Sequence, residues 1–418
     1  MKVLLVTVGS AGDVHPFVGV ALALRQRGHA VSIATNPYFG PLMERLGLPL
    51  RPIGKVEDFE QAISHPGLWR PIRGFGVIAT LVQRGIADVY NLVEQEAAGG
   101  DTVVVSHPLA FGARVAQDAL GVPLVTLHLA PAALWSLEAP AVLDARMGSI
   151  AGWPKAVRRL LLGLGDKCAD LKLGPALNKF RASLGLAPVR HIVRQWWHSP
   201  KRVIGLFPDW YAAPQQDWPP NTALTGFPLY DEREVSGISP HLEAFLAEAE
   251  AVGDSPVVFA PGSGNSQARR FFEAAADACR RLDRRGILLT RYPEQIPSRL
   301  PGGVLATDYA PFSSLLPRAA ALVHHGGIGT CGQALAADLP QLVLPMGFDQ
   351  PDNAMRLVRL GVARTLQPGR ATGARVAAEL AGMLADASVS RCCAELAQRF
   401  QGDDAVGRTC DLIEECAP

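Results

Sequence analysis

Two segments of this 418-residue chain combine residue types that can bind an anion and move a proton. The first is Leu322-Val-His-His-Gly-Gly-Ile-Gly-Thr330, followed by Leu342-Val-Leu-Pro-Met-Gly-Phe-Asp-Gln350. It reads as strand, glycine turn, helix and strand, with the polar pair Asp349 and Gln350 beyond the second strand. A helix that opens after glycines offers unpaired N–H groups and the positive end of its dipole, which suits a phosphate. Glycines also let the backbone come close to the ligand. Asp349 and Gln350 stand where hydroxyls beside that phosphate can be held, and phosphate plus polyol describes a nucleotide sugar. The second segment is Gly9-Ser-Ala-Gly-Asp13-Val-His15-Pro16. Pro16 suits a first helical turn, which places Asp13 and His15 in the loop before it. A carboxylate there can take a proton from an attacking hydroxyl, or it can simply cap the helix.

Weaker signals lie nearby. Tyr309-Ala310-Pro311 follows a strand and can stack a base and offer backbone groups to its edge, or be an ordinary turn. The glycines of Gly327-Ile-Gly-Thr-Cys-Gly332 also satisfy a dinucleotide-binding pattern, so a nicotinamide oxidoreductase is a rival. Against it, His324 and His325 precede the turn, and no acidic residue closes the next strand. The phosphate P-loop pattern is absent, as is any Asp-x-Asp that holds a metal diphosphate. The expectation is therefore no metal and no cofactor, with helix dipole, His325 and backbone facing the diphosphate.

The elements that must position these residues follow from periodicity. The length predicts two domains, and 48% hydrophobic residues supply their cores. Strands are expected over residues 2–8, 30–35, 102–106, 124–129 and 203–207, with helices over 16–27 and 110–120. A second series follows: strands over 256–261, 287–291, 304–307, 320–324 and 341–344, a helix over 268–282, and only helices from about Thr372. Such alternation gives parallel sheets with ligands at the strand C-terminal ends. The strand-to-glycine turns Val6-Thr-Val-Gly-Ser10 and Phe259-Ala-Pro-Gly-Ser263 echo each other. The fold class is α/β, with two doubly wound Rossmann-like domains facing a central cleft. Residues 1–232 form the first domain and 233–394 the second, with a linker near 228–254 and a C-terminal helix over 395–418 packing back on the first.

A net charge of +1 gives no signal for nucleic acid. Seven scattered cysteines without Cys-x-x-Cys spacing fit a reducing cytoplasm better than a disulfide framework or a zinc site. The stretch 155–202 is rich in Lys and Arg, with Asp166 and Asp170 as its acids. It is either a solvated helix face or a basic amphipathic surface for an anionic amphiphile or a membrane.

Taken together, these motifs resemble family 1 inverting, metal-independent glycosyltransferases of the two-domain GT-B fold, over the whole chain. Gln195-Trp-Trp-His-Ser-Pro200, Leu206-Phe-Pro-Asp-Trp210 and Thr225-Gly-Phe-Pro-Leu229 resemble, within that family, the rhamnosyltransferases of rhamnolipid biosynthesis. The resemblance implies transfer of L-rhamnose from dTDP-L-rhamnose onto a hydroxyalkanoyloxy-alkanoate lipid, with UDP-glucose and another hydrophobic acceptor as the alternative. It implies Asp13 as catalytic base. It places Ser263, His325, Gly327, Gly329 and Thr330 at the diphosphate, and Tyr309 and Ala310 at the base. Gln333 falls at the ribose, and Asp349 and Gln350 at the sugar. His15, His107, Trp135 and Trp197 fall on the acceptor side. A cytoplasmic enzyme is implied, with peripheral contact at the inner membrane and association with the enzyme that makes the acceptor. Three departures stand out: Gly264 where relatives often have Thr, Gly347-Phe348 before the Asp-Gln pair, and Gln333 in place of a Glu, which leans towards a deoxyribose donor.

Overall fold

The computed structural model describes residues 1–417, apart from the side chains of residues 71 and 72. The chain divides into two compact units, one of residues 1–142, 147–228 and 404–418, the other of residues 143–146 and 229–403. Residue 418 lies outside the described residues.

The first unit runs β1 (Lys2–Val6), α1 (Ala11–Gln26), β2 (Ala30–Thr35), α2 (Gly40–Leu46), β3 (Leu50–Pro52), α3 (Val56–Ser64), α4 (Pro71–Ala97), β4 (Thr102–Ser106), α5 (Phe111–Leu120), β5 (Leu124–His128), α6 (Lys155–Ser183), β6 (Arg202–Gly205) and β7 (Thr222–Leu224). Its seven strands lie in the order β3-β2-β1-β4-β5-β6-β7, all parallel. The central strands are buried on both faces almost throughout and are mostly apolar, as parallel strands covered by helices are.

The second unit runs α7 (Pro240–Ala251), β8 (Val257–Ala260), α8 (Arg269–Leu282), β9 (Gly286–Leu289), β10 (Val304–Thr307), α9 (Phe312–Leu315), β11 (Ala321–His324), α10 (Ile328–Ala336), β12 (Gln341–Val343), α11 (Gln350–Arg359), β13 (Ala363–Thr365), α12 (Gly373–Leu384) and α13 (Ala387–Gln398). Its six parallel strands lie in the order β10-β9-β8-β11-β12-β13. The last helix, α14 (Ala405–Glu414), belongs to the first unit, where it packs on α1. Arg27 reaches Asp411 and Glu414 across that contact, and the Thr409 hydroxyl donates to Thr225 at 2.8 Å.

In each sheet the winding reverses once, between β1 and β4 and between β8 and β11. Loops leaving the strand ends at such a reversal splay apart and leave a crevice for ligand.

Several sequence expectations are corrected. The first helix begins at Ala11, not at Pro16, so Asp13 lies in its first turn and Pro16 lies inside it. A further strand that periodicity did not show, β7, follows the one expected over 203–207 and forms the edge of the sheet. Residues 240–251 of the expected linker form α7, capped by Ser239, with Leu242 and Leu246 buried in the second unit's core. The stretch 395–418 is not one helix: α13 ends at Gln398, and α14 starts at Ala405 with the Asp404 carboxylate accepting from the Gly407 amide.

Candidate functional site

At the reversal of the first sheet, the turn after β1 is built around Asp13. Gly9 sits at φ +130°, and a Cβ there would fall 2.2 Å from Asp13 Oδ2. The missing side chain is what admits the carboxylate. Asp13 is the third residue of α1, and its Oδ2 accepts from the Ser10 amide at 2.7 Å and the Ser10 hydroxyl at 3.2 Å. The Thr7 hydroxyl donates to the Asp13 carbonyl at 3.0 Å. Asp13 therefore does cap its helix, and that cap fixes the rotamer of the acid. Its side chain keeps 33% of its exposure, yet the protein packed around it raises its pKa from 3.8 to about 6, against the lowering effect of the Ser10 bonds.

His107, just past β4, faces this carboxylate, with Nε2 at 3.8 Å from Asp13 Oδ1. The Leu109 amide donates to His107 Nδ1 at 3.3 Å, so the proton of the neutral ring sits on Nε2 and points at Asp13. Burial lowers the His107 pKa to about 4. His15, two residues past Asp13, is partly exposed on α1.

The Trp-rich motif is structural in its contacts. The Trp197 indole N–H donates to His198 Nε2 at 3.1 Å. His198 must then donate from Nδ1 to His128 Nε2, at 2.9 Å. Trp197 thus has its one polar atom engaged inside the fold. Trp196 donates to Asp118, and the guanidinium groups of Arg114 and Arg181 lie over its ring at 5.5 and 5.6 Å. Asp166 and Asp170 of α6 hold the π-helical turn Ile192–Trp196 by binding the His191 ring and the His191 and Ile192 amides. Trp135 lies against α6 at Gly165.

At the reversal of the second sheet, the β8 and β11 loops meet. The His325 imidazole lies between two glycines: a Cβ on Gly262 would fall 2.8 Å from Nε2, and one on Gly327 2.6 Å from it. Gly262 and Gly326 have φ of +100° and +93°. Burial lowers the His325 pKa to about 4, although the nearby Ala260 carbonyl favours a proton. His325 is therefore a neutral donor here. Gly327 is the N-cap of α10, and the first intrahelical bond comes from the Cys331 amide. The amides of Ile328, Gly329 and Thr330 therefore point out of the helix end. Gln333 lies one turn after Thr330 on the same side of α10, largely buried.

The Asp349-Gln350 pair is held from within. Gln350 Oε1 accepts from the Met346 and Gly347 amides at 2.9 and 3.2 Å, which leaves its NH2 as the donor end. Asn353, which sequence reading missed, donates from Nδ2 to the Gly326 carbonyl at 2.9 Å and to Asp349 Oδ2 at 2.8 Å. It ties the sugar-side loop to the glycine turn, and its i,i+4 spacing from Asp349 was the available signal. Tyr309 is half-buried, with the Arg291 guanidinium over its ring at 5.3 Å and its hydroxyl donating to the Asp231 carbonyl. Ala310 is buried beside it, and Ser263 is exposed in the β8 loop. Among the described residues no cluster of three or more His, Cys, Asp and Glu could hold a metal.

Comparison with known proteins shows the family. Residues 3–132 match the glycosyltransferase family 28 N-terminal domain, and residues 277–406 match the erythromycin biosynthesis protein CIII-like C-terminal domain. The chain is 30% identical over 430 residues to O-mycaminosyltylonolide 6-deoxyallosyltransferase of Streptomyces fradiae, covering 100% of this chain and 98% of that protein. This chain belongs to that glycosyltransferase family. The glycosyltransferase is also 30% identical over 372 residues to the vancomycin aglycone glucosyltransferase of Amycolatopsis orientalis, covering 87% of this chain and 85% of that one. Its fold matches the solved spinosyn rhamnosyltransferase complexed with thymidine diphosphate, with a TM-score of 0.68 at 19% identity over 99% and 100% of the two chains. The two-domain GT-B fold stands, and the chain is a transferase of sugar groups.

Proposed function

We infer that this glycosyltransferase moves a 6-deoxyhexose, with L-rhamnose the specific assignment, from a dTDP-linked donor to a hydroxyl of a hydrophobic acceptor, inverting the anomeric centre without a metal. The observation that carries the mechanism is Asp13: a carboxylate fixed by Ser10, with its pKa raised to about 6 at the reversal point of the first sheet. A base of that pKa is ionised at neutral pH and still takes a proton effectively. Asp13 removes the acceptor proton as the oxygen attacks the anomeric carbon, and the bond from that carbon to the diphosphate breaks. His107, neutral and with Nε2–H turned to Asp13 Oδ1, steadies the carboxylate. In the second unit the charge appearing on the leaving diphosphate meets the free amides of α10 and the His325 ring. A bound anion raises the His325 pKa, so the ring gains its proton with the ligand. Asp349 and the NH2 of Gln350 hold the sugar hydroxyls, and Arg291 and Tyr309 bound the place of the base.

The donor class is supported by the thymidine diphosphate complex of the rhamnosyltransferase neighbour and by the 6-deoxyallosyl group in the first relative's name. A hydroxyalkanoyloxy-alkanoate lipid is the acceptor that the motif resemblance favours, while the relatives' names point to O-mycaminosyltylonolide and an aglycone.

Nucleotide release tests the reading. Purified protein in chelator is offered dTDP-L-rhamnose or UDP-glucose, each with a β-hydroxy fatty acid dimer or a macrolactone aglycone. The reading predicts dTDP release only with rhamnose donor plus one acceptor, and a product of inverted configuration. UDP release with glucose alone overturns the donor assignment, and loss of turnover in chelator overturns metal independence.

A further inference from the structure

Among the described residues, six of the twelve exposed large hydrophobic side chains fall between residues 147 and 171 of the first unit. On α6 they are ordered. At 100° per residue, Val157, Leu160, Leu164, Cys168 and Leu171 fall within an arc of about 80°. Leu160 is 62% exposed, Leu164 51% and Leu171 78%, and Trp153, 45% exposed, stands just ahead of the helix. This stripe is the reverse of an ordinary surface helix, whose leucines face inward. The inward face of α6 carries its own core residues, Ala169, Leu173 and Leu177. The outer leucines are therefore surplus to folding.

Charge is sorted the same way. Lys167 borders one edge of the stripe and Lys172 and Lys179 the other, all exposed. The acids Asp166 and Asp170 lie on the opposite side, engaged with the His191 ring and the His191 and Ile192 amides. An apolar stripe with lysines on both margins and no acid between them is the pattern of a helix that lies in a lipid interface. A second copy would set lysines against lysines across a two-fold axis, which is repulsive. No helix among the described residues is long and apolar enough to cross a membrane, so any lipid contact through a helix is superficial.

We propose that the outer face of α6 docks this enzyme on an anionic lipid surface, with Leu160, Leu164 and Leu171 entering the acyl boundary and Lys167 and Lys172 meeting the headgroups. The inference does not depend on which hydroxyl is glycosylated.

Vesicle flotation of the full chain tests it, with phosphatidylcholine vesicles alone or containing about 30% phosphatidylglycerol. The wild type is expected to float with the anionic vesicles only. The combined variant Leu160→Ser, Leu164→Ser and Leu171→Ser is expected to lose at least about tenfold in partitioning. Lys167→Glu with Lys172→Glu, or roughly 0.5 M salt, is expected to lose about fivefold or more. Melting temperature and dTDP binding serve as folding controls for both variants. No flotation, or flotation unchanged in the leucine variant, overturns the proposal. So does a concentration-dependent dimer, or an acidic protein partner, that the leucine variant abolishes while flotation is unaffected.

Discussion

Replacing Gly9 with alanine isolates the role of the Asp13 geometry. The new Cβ would lie 2.2 Å from Oδ2 and 2.5 Å from Cγ of Asp13, at a backbone φ of +130°. Ordinary contact requires the carboxylate to move by roughly 1 Å. That movement breaks the 2.7 Å bond from the Ser10 amide and turns the acid away from the hydroxyl it must deprotonate. A displacement of this size at a reacting group costs on the order of 10² in rate. The positive φ adds about 1–3 kcal/mol of strain wherever it occurs. Gly28→Ala separates the two effects, because Gly28 has φ +88° and nothing within 4 Å of its would-be Cβ. Both variants should melt earlier, but Gly9→Ala alone should lose kcat by about 100-fold. Steady-state kinetics at saturating donor, with melting curves on both proteins, measures this. Equal kcat values in the two variants, within about threefold, would falsify the claim that the carboxylate's seat matters.

Other consequences follow from the same geometry. With the Asp13 pKa raised to about 6, the base loses its charge as pH falls, so kcat/KM should drop tenfold per unit below about pH 6 and level off above it. A profile flat down to pH 5 would exclude this acid as the base. The same raised pKa means that the folded state binds the proton more tightly than the unfolded one, so this group favours folding below about pH 4 and loses that contribution as pH rises through 6. Gly262→Ala and Gly327→Ala each push on the His325 ring, and calorimetry should show dTDP binding weakened by about tenfold, a magnitude typical of one charge-assisted hydrogen bond. Asn353→Ala frees Asp349 from the Gly326 turn and should raise the donor KM by about tenfold with a smaller change in kcat. Trp197→Phe removes the donor to His198 in a buried chain, and denaturant unfolding should show a loss of about 1–3 kcal/mol.

Much of this was legible in the sequence where pattern and chemistry coincide. The central strand Thr102–Ser106 is a fully buried run of strand length, and it falls where periodicity placed it, as do Ala30–Thr35 and the half-buried edge strand Val304–Thr307. The edge strands β3, β7 and β13 have three residues each, too few to show a period. The start of α1 was misjudged because Pro16 suggested a first turn, whereas the helix tolerates it one turn later. Residue types announced Asp13, His325 and the Asp349-Gln350 pair, but not what holds them. The Ser10 amide, the Gly262–His325–Gly327 sandwich and the Asn353 bridge are long-range or backbone facts that spacing does not encode. The lysine excess over 155–202 was visible. Its division into an inward acid face and an outward leucine stripe needed the helix in place.

The central claim is that Asp13 is the base of the transfer reaction, and Asp13→Asn tests it most directly. Single-turnover rates are compared with the wild type, and dTDP-sugar binding is measured separately by calorimetry. The account predicts unchanged donor binding and a chemical step slower by about 10²–10⁴. A rate near that of the wild type, with donor binding intact, would contradict it.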